Sequence, residues 1–127
     1  MINTVRIFVL FLFLFSVSPL FSQDNHHYQT DFSVENFTER RTNLFEAIGN
    51  NAIALIQGTG GRAGFSVFRQ SNTFYYLTGL ESDHAYLLLN GKKKQTVLYL
   101  PHRDAGRENG QGKLLSAEDE ALVKTLT

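Results

Sequence analysis

Cysteine and tryptophan are absent from the 127 residues, proline occurs twice and methionine once. Without cysteine the chain has no disulfide staple, no thiolate nucleophile and no thiolate metal site. Charge of one sign is missing as well, since 12 basic groups face 12 acidic ones. No clustered positive surface is then implied to displace phosphate counterions, and no nucleic acid partner is expected. The length admits one modest domain and excludes a multidomain enzyme.

A long apolar run is lacking too. Residues 7–15 (IFVLFLFLF) are nine apolar residues behind Arg6, and Ser16, Ser18 and Pro19 break the run before Ser22. Even taken through Phe21 the stretch has 15 residues, short of the roughly 20 that a helix needs to cross a bilayer. The order of basic, apolar and small residues is that of a secretory signal, cleaved after Ser22. The alternative is a retained N-terminal anchor. Removal of residues 1–22 takes away one basic group and leaves a net charge of about −1. Export, to a periplasm or to the outside, is the expected localisation.

What is present reads as a polar leader over 23–33 followed by one domain over 34–127. Val34, Phe37, Leu44, Phe45 and Ile48 fall mostly at helical spacing, with Ser33 as cap and Gly49 as stop. Residues 52–57 (AIALIQ) form a short apolar run that fits a buried strand. The spacing favours a helix over 72–80 (NTFYYLTGL), closed by Gly79, against a competing strand. Residues 85–89 and 96–100 flank Asn90-Gly91, a hairpin signal, and Pro101 ends the second strand. In SAEDEALVKTLT, Ser116 and Asp119 match a capping box, with Leu122, Val123 and Leu126 as the apolar stripe. That helix has no glycine, asparagine or proline exit, and three strands leave a sheet edge uncovered, so the sequence reads as truncated.

Several motifs invite a chemical reading. Gly58-Thr59-Gly60-Gly61-Arg62-Ala63 fits a dinucleotide fingerprint after a strand, but no clean amphipathic helix follows and no acid ends the next strand. A flexible connection is the better reading. His26, His27, His84 and His102, with Asp24, Asp31, Asp83 and Asp104, supply metal-ligand types without a known coordination spacing. Lys92-Lys93-Lys94 reads as a solvated turn, and no nucleophile elbow is present. Asn36-Phe37-Thr38 matches the glycosylation triplet inside a predicted helix. Two constellations stand out. Arg69 and Gln70 precede Phe74, Tyr75 and Tyr76, a guanidinium and an amide beside aromatic area of the kind interfaces favour. His102, Arg103 and Asp104 follow a strand end, where side chains are held firmly and project outward. The plainer alternative is that Arg69 pairs with an internal carboxylate while the aromatics fill the core.

The string FRQSNTFYYLTGLES, the preceding ERRTNLFEAI and NAIALIQG, and the later LYLPHRDAGRE and GKLLSAEDEALVKTL resemble the N-terminal domain of Xaa-Pro aminopeptidase, or aminopeptidase P. The resemblance runs from about Phe37 to Thr127. It implies an α/β fold with the mixed sheet of the creatinase-like, ribonuclease H-like N-terminal domain, here incomplete. It further implies a C-terminal pita-bread catalytic domain as partner, holding two metal ions, commonly manganese, on two aspartates, a histidine and two glutamates. That centre activates water to cut the bond between an N-terminal residue and proline. None of those ligand motifs occurs here, so no catalytic or metal residue is carried over.

Arg69, Gln70, Phe74, Tyr75, Tyr76, His102, Arg103 and Asp104 match the family pattern and inherit a substrate-rim or interface role. Proline-containing peptides and further copies of the chain are the implied partners. One departure concerns Gly110, which stands where relatives often place tryptophan, so stacking on substrate from that loop is in doubt. The leading expectation is an exported, non-catalytic part of an Xaa-Pro metalloaminopeptidase. Its rivals are a free-standing exported peptide-binding or assembly module and, last, a small metal-binding protein using its histidines.

Overall fold

The computed structural model describes residues 28–60 and 68–127. The expected signal, residues 23–27 of the polar leader with His26 and His27, and the second half of the glycine-rich string lie outside the described residues.

The first helix, α1, is Val34–Ile48. It buries Phe37 and Phe45 and closes on Gly49, whose amide donates to the Phe45 carbonyl at φ 72°. Ser33 occupies the cap position, but its hydroxyl caps no backbone amide. It accepts instead from Asn36 Nδ2 at 3.1 Å, so this end of the helix is held by side chains of its own first turn. β1 (Ile53–Gln57) follows, then α2 (Asn72–Thr78), β2 (Tyr86–Asn90) and β3 (Gln95–Tyr99).

Helix wins over strand at 72–78 because Gly79 adopts the left-handed conformation (φ 68°) that ends a helix, and its amide reaches the Tyr75 carbonyl. Thr78 reinforces the stop. Its hydroxyl donates to the Phe74 carbonyl at 2.8 Å and accepts from the Leu80 amide at 3.2 Å. A Cβ at Gly79 would also stand 2.5 Å from the Phe37 ring, so α1 and α2 meet where only glycine fits.

The class is α/β as expected, and the three described strands lie in the order β1-β2-β3 with each neighbouring pair antiparallel, so no parallel pair of the expected mixed sheet is among the described strands. Leu55 lies opposite Leu88, and Leu88 opposite Val97. The hairpin between β2 and β3 turns through residues 91–94. Asn90 Oδ1 accepts from the Lys92 and Lys93 amides, each at 3.1 Å, while Gly91 lies so close to the α1–β1 connection that a Cβ would be 2.0 Å from the Gly49 carbonyl oxygen.

Ala54, Ile56, Leu87, Leu89 and Leu98 share the inner sheet face and pack with Phe45, Phe74, Leu77, Leu80, Leu115 and Val123. The expectation of a buried β1 is corrected here. Ile53 and Leu55, each 63% exposed, alternate with the inward Ala54 and Ile56, so only one face of the strand is covered by described residues.

Two further differences concern the end of the chain. A helix absent from the sequence-based expectation, α3 (Ala105–Gln111), begins at Asp104, whose side chain accepts from the Arg107 amide. Its glycines are poor helix formers and mask it in the sequence; the cap and the exit at Gly112 define it. The Ser116–Asp119 capping box forms as expected, opening a single 3₁₀ turn (Ala117–Asp119) that leads into α4 (Glu120–Leu126). Of the predicted stripe, Val123 is buried, but Leu122 faces solvent. Among the described residues, no helix is long and apolar enough to cross a membrane.

Candidate functional site

The residues singled out in sequence fall into two groups on either side of the Leu80–Ala85 connection. In the first, Phe74 is fully buried and belongs to the core, so the plainer reading holds for that residue. Tyr75 is half-buried, and burial, with Glu81 and Asp31 nearby, raises its phenol pKa. Tyr76 is 55% exposed, and the Arg40 guanidinium lies 4.5 Å from its ring centroid. Arg40 also sits 4.7 Å from Phe32 and 5.1 Å from Phe37, and it donates to the Tyr76 carbonyl at 3.0 Å. The arginine that lies on the Tyr76 ring is thus Arg40 and not Arg69. Arg69 is exposed, in the connection before α2.

Gln70 is the polar hinge of this group. Its Oε1 accepts from the Ser82 amide at 2.9 Å, and its Nε2 is buried without a partner among the described residues. Beside Ser82, the buried Asp83 pairs with Arg107 of α3. That ion pair carries the contact from the α2–β2 connection across to the second group. Between the two groups, Phe68, Glu81, Ser82, Asp83, Arg107 and Leu115 enclose about 20 Å³, room for roughly one water and far too little for a peptide.

The second group is a fixed polar network. His102 Nδ1 lies 2.9 Å from Glu118 Oε1, while the Arg103 amide donates to Glu118 Oε2 at 2.9 Å. The His102 contact and these backbone bonds hold the Glu118 carboxyl at about 2. Arg103 Nη2 donates to Asp119 Oδ1 at 2.8 Å, which raises the guanidinium pKa further. Burial pushes the Asp119 carboxyl up, but hydrogen bonds from Ser116 and Arg103 outweigh it, and the net shift is downward. Asp104 is spent as the cap of α3. These groups anchor the segment after β3 to the turn before α4; their carboxylates are engaged rather than poised for proton transfer.

Four other features resolve in the same way. Gly58 and Thr59, the start of the dinucleotide-like string, spend backbone groups on their own fold: Gly58 donates to Ala85, and the Thr59 carbonyl accepts from His84. Lys94 docks back on α1, donating to the Phe45 carbonyl at 3.3 Å. Gly110 has open space where a Cβ would project. The fourth is the donor set for a two-metal hydrolytic centre, which does not fit the described residues: among them no three His, Asp or Glu side chains converge, and the carboxylates of Asp83, Glu118, Asp119 and Glu120 are each engaged by a cationic or histidine side chain. Periodicity could not have found Arg40, Arg41 and Arg107 as tertiary ties, because the partners they reach on other elements lie 24 to 86 residues away.

The profile of the family described as "Aminopeptidase P, N-terminal domain" matches residues 37–125. The chain belongs to that family. Aminopeptidase P from Escherichia coli with the inhibitor Pro-Leu superposes with a TM-score of 0.61 at 29% identity, over 73% of this chain and 23% of that one. The zinc-substituted E. coli enzyme in complex with product gives 0.63 at 28% identity, over 76% and 23%. A "Probable Xaa-Pro aminopeptidase PEPP" from Uncinocarpus reesii is 38% identical over 56 residues, which are 44% of this chain and 12% of that protein. This aminopeptidase P N-terminal domain thus spans under a quarter of the length of these relatives.

Proposed function

We infer that the chain serves as the N-terminal, non-catalytic domain of an exported Xaa-Pro metalloaminopeptidase. In this reading hydrolysis belongs to a pita-bread catalytic domain carrying two ions, commonly manganese, outside these 127 residues. The observation that carries it is the family match over 37–125, set beside described residues in which no metal-ligating side chains converge.

The chain's share of the work is shape and surface. Tyr76 with Arg40, and His102 with Arg103, present aromatic and charged groups held by their neighbours, suited to contact a second subunit or to border the entry of a proline-containing peptide. The leader directs export and is removed after Ser22.

A second reading, a free-standing exported binding or assembly module, draws on the exposed aromatic and arginine surface around Tyr76. Incubation of the purified chain with manganese and an X-Pro peptide separates these readings from a self-sufficient enzyme. The peptide is expected to stay intact, and release of its first residue would overturn the assignment. N-terminal sequencing of the exported protein is expected to begin at Gln23.

A further inference from the structure

Among the described residues β3 has a neighbour on one side only, so one row of its backbone donors and acceptors is open. Along that edge runs a groove of about 560 Å³, walled by Gln95, Thr96, Val97 and Leu98 on one side and by Glu120, Val123, Lys124 and Thr127 on the other. Leu87 and Thr78 line its depth. A second hollow, of about 380 Å³, shares Thr96 and Arg41 with the first and reaches on to Lys94. Both openings thus lie along the free edge of one strand and meet at one guanidinium.

Arg41 is half-buried, and each of its hydrogen bonds goes to a neutral acceptor: the Leu77 carbonyl at 2.9 Å, Thr127 Oγ1 at 2.8 Å and Thr38 Oγ1 at 3.3 Å. Among the described residues it has no carboxylate partner. Of the two acids lining the hollows, Glu120 pairs with Lys124 at 2.6 Å and Glu46 makes no ion pair with Arg41. Burial lowers the Arg41 pKa with no acidic neighbour opposing the shift. A partly desolvated cation without a counter-ion is costly, and the usual remedy is a carboxylate.

We propose that the groove between β3 and α4 is a strand-addition site. Its occupant is an extended peptide strand from outside these 127 residues, bearing a carboxylate that pairs with Arg41. A strand laid about 4.8 Å from β3 satisfies the open edge and turns alternate side chains toward Leu87, Leu98 and Val123, so the occupant is apolar on that face apart from its acid. A second copy of the chain does not supply this chemistry through either free strand. β3 (QTVLY) and β1 (IALIQ) carry no acidic residue. The inference goes beyond the proposed function and stands whether or not the hydrolytic assignment holds.

The test uses the full chain and two acetylated, amidated heptapeptides, Thr-Val-Thr-Asp-Thr-Val-Thr and the same peptide with Asn for Asp. The Asp peptide is expected to bind, to slow amide hydrogen exchange along Gln95–Tyr99, and to lose at least tenfold in affinity on Arg41→Gln. The Asn peptide on the unaltered protein is expected to bind at least tenfold more weakly, which keeps the test valid if the Arg41 variant fails to fold. Absence of binding by the Asp peptide, or equal binding of the two peptides, would overturn the proposal. So would protection of β3 without peptide together with a doubled mass in sedimentation, since the occupant would then be a second copy.

Discussion

The two faces of the sheet are written in nearly the same alphabet and meet opposite fates. On the inner face Leu87 and Leu89 are 1% and 0% exposed, whereas on the outer face Ile53 and Leu55 are each 63% exposed and Tyr99 is 53% exposed. The difference lies in where the helices that flank the strands come to rest. α1, α2 and α4 all bring their apolar sides to the inner face, and no described element covers the outer one. An apolar residue in a strand is therefore a statement about burial only once its partner layer is known.

The largest way to break that contrast is Leu87→Ala, which removes a fully buried side chain from the centre of β2. It is expected to cost about 2–5 kcal/mol in urea unfolding. Next comes Gly79→Ala, which forces a Cβ into the left-handed stop of α2 and against the Phe37 ring, for an expected loss of about 2 kcal/mol. Asp83→Ala leaves the Arg107 guanidinium without its carboxylate at the join between the two polar groups. A loss of about 1–3 kcal/mol is expected, together with faster hydrogen exchange in α3.

A smaller effect belongs to the network beyond β3. The Glu118 carboxyl falls from its ordinary value of 4.5 to about 2 in the folded chain. A depressed acid contributes stability that is fully present above 4.5 and disappears as pH drops toward 2. Glu118→Gln is therefore expected to lower stability above 4.5 and to flatten the acid limb of a stability-against-pH curve between those values, while leaving stability near pH 2 nearly unchanged. Smallest of all is Leu55→Thr on the outer face, expected to stay within about 0.5 kcal/mol of the unaltered chain. If Leu55→Thr matched Leu87→Ala, the contrast between the faces would be false.

Much of the architecture is legible wherever local chemistry decides it. Gly49 and Gly79 mark helix ends because positive φ is theirs to adopt, and Ser116 with Asp119 forms its cap within four residues. The hairpin at Asn90 rests on a side chain that folds back on two nearby amides. The one-sided burial of β1 is not legible, since AIALIQ is apolar at both parities and its outer neighbours are not specified by spacing. α3 escapes a reading by pattern because a run with glycine at 106 and 110 has weak propensity, and its cap, Asp104, reads equally well as a surface residue.

The candidate site divides along the same line. Gln70, Tyr76, His102 and Arg103 do occupy structured, partnered positions, but Phe74 is core and Asp104 is a cap. The three arginines that tie the elements together, Arg40, Arg41 and Arg107, act on groups brought near only by the tertiary fold.

Calorimetric titration of manganese into the purified chain tests the central claim most directly, because a hydrolytic centre cannot exist without its ions. No saturable uptake of two ions per chain is expected. Stoichiometric binding of two ions would place the chemistry inside this chain and contradict the account.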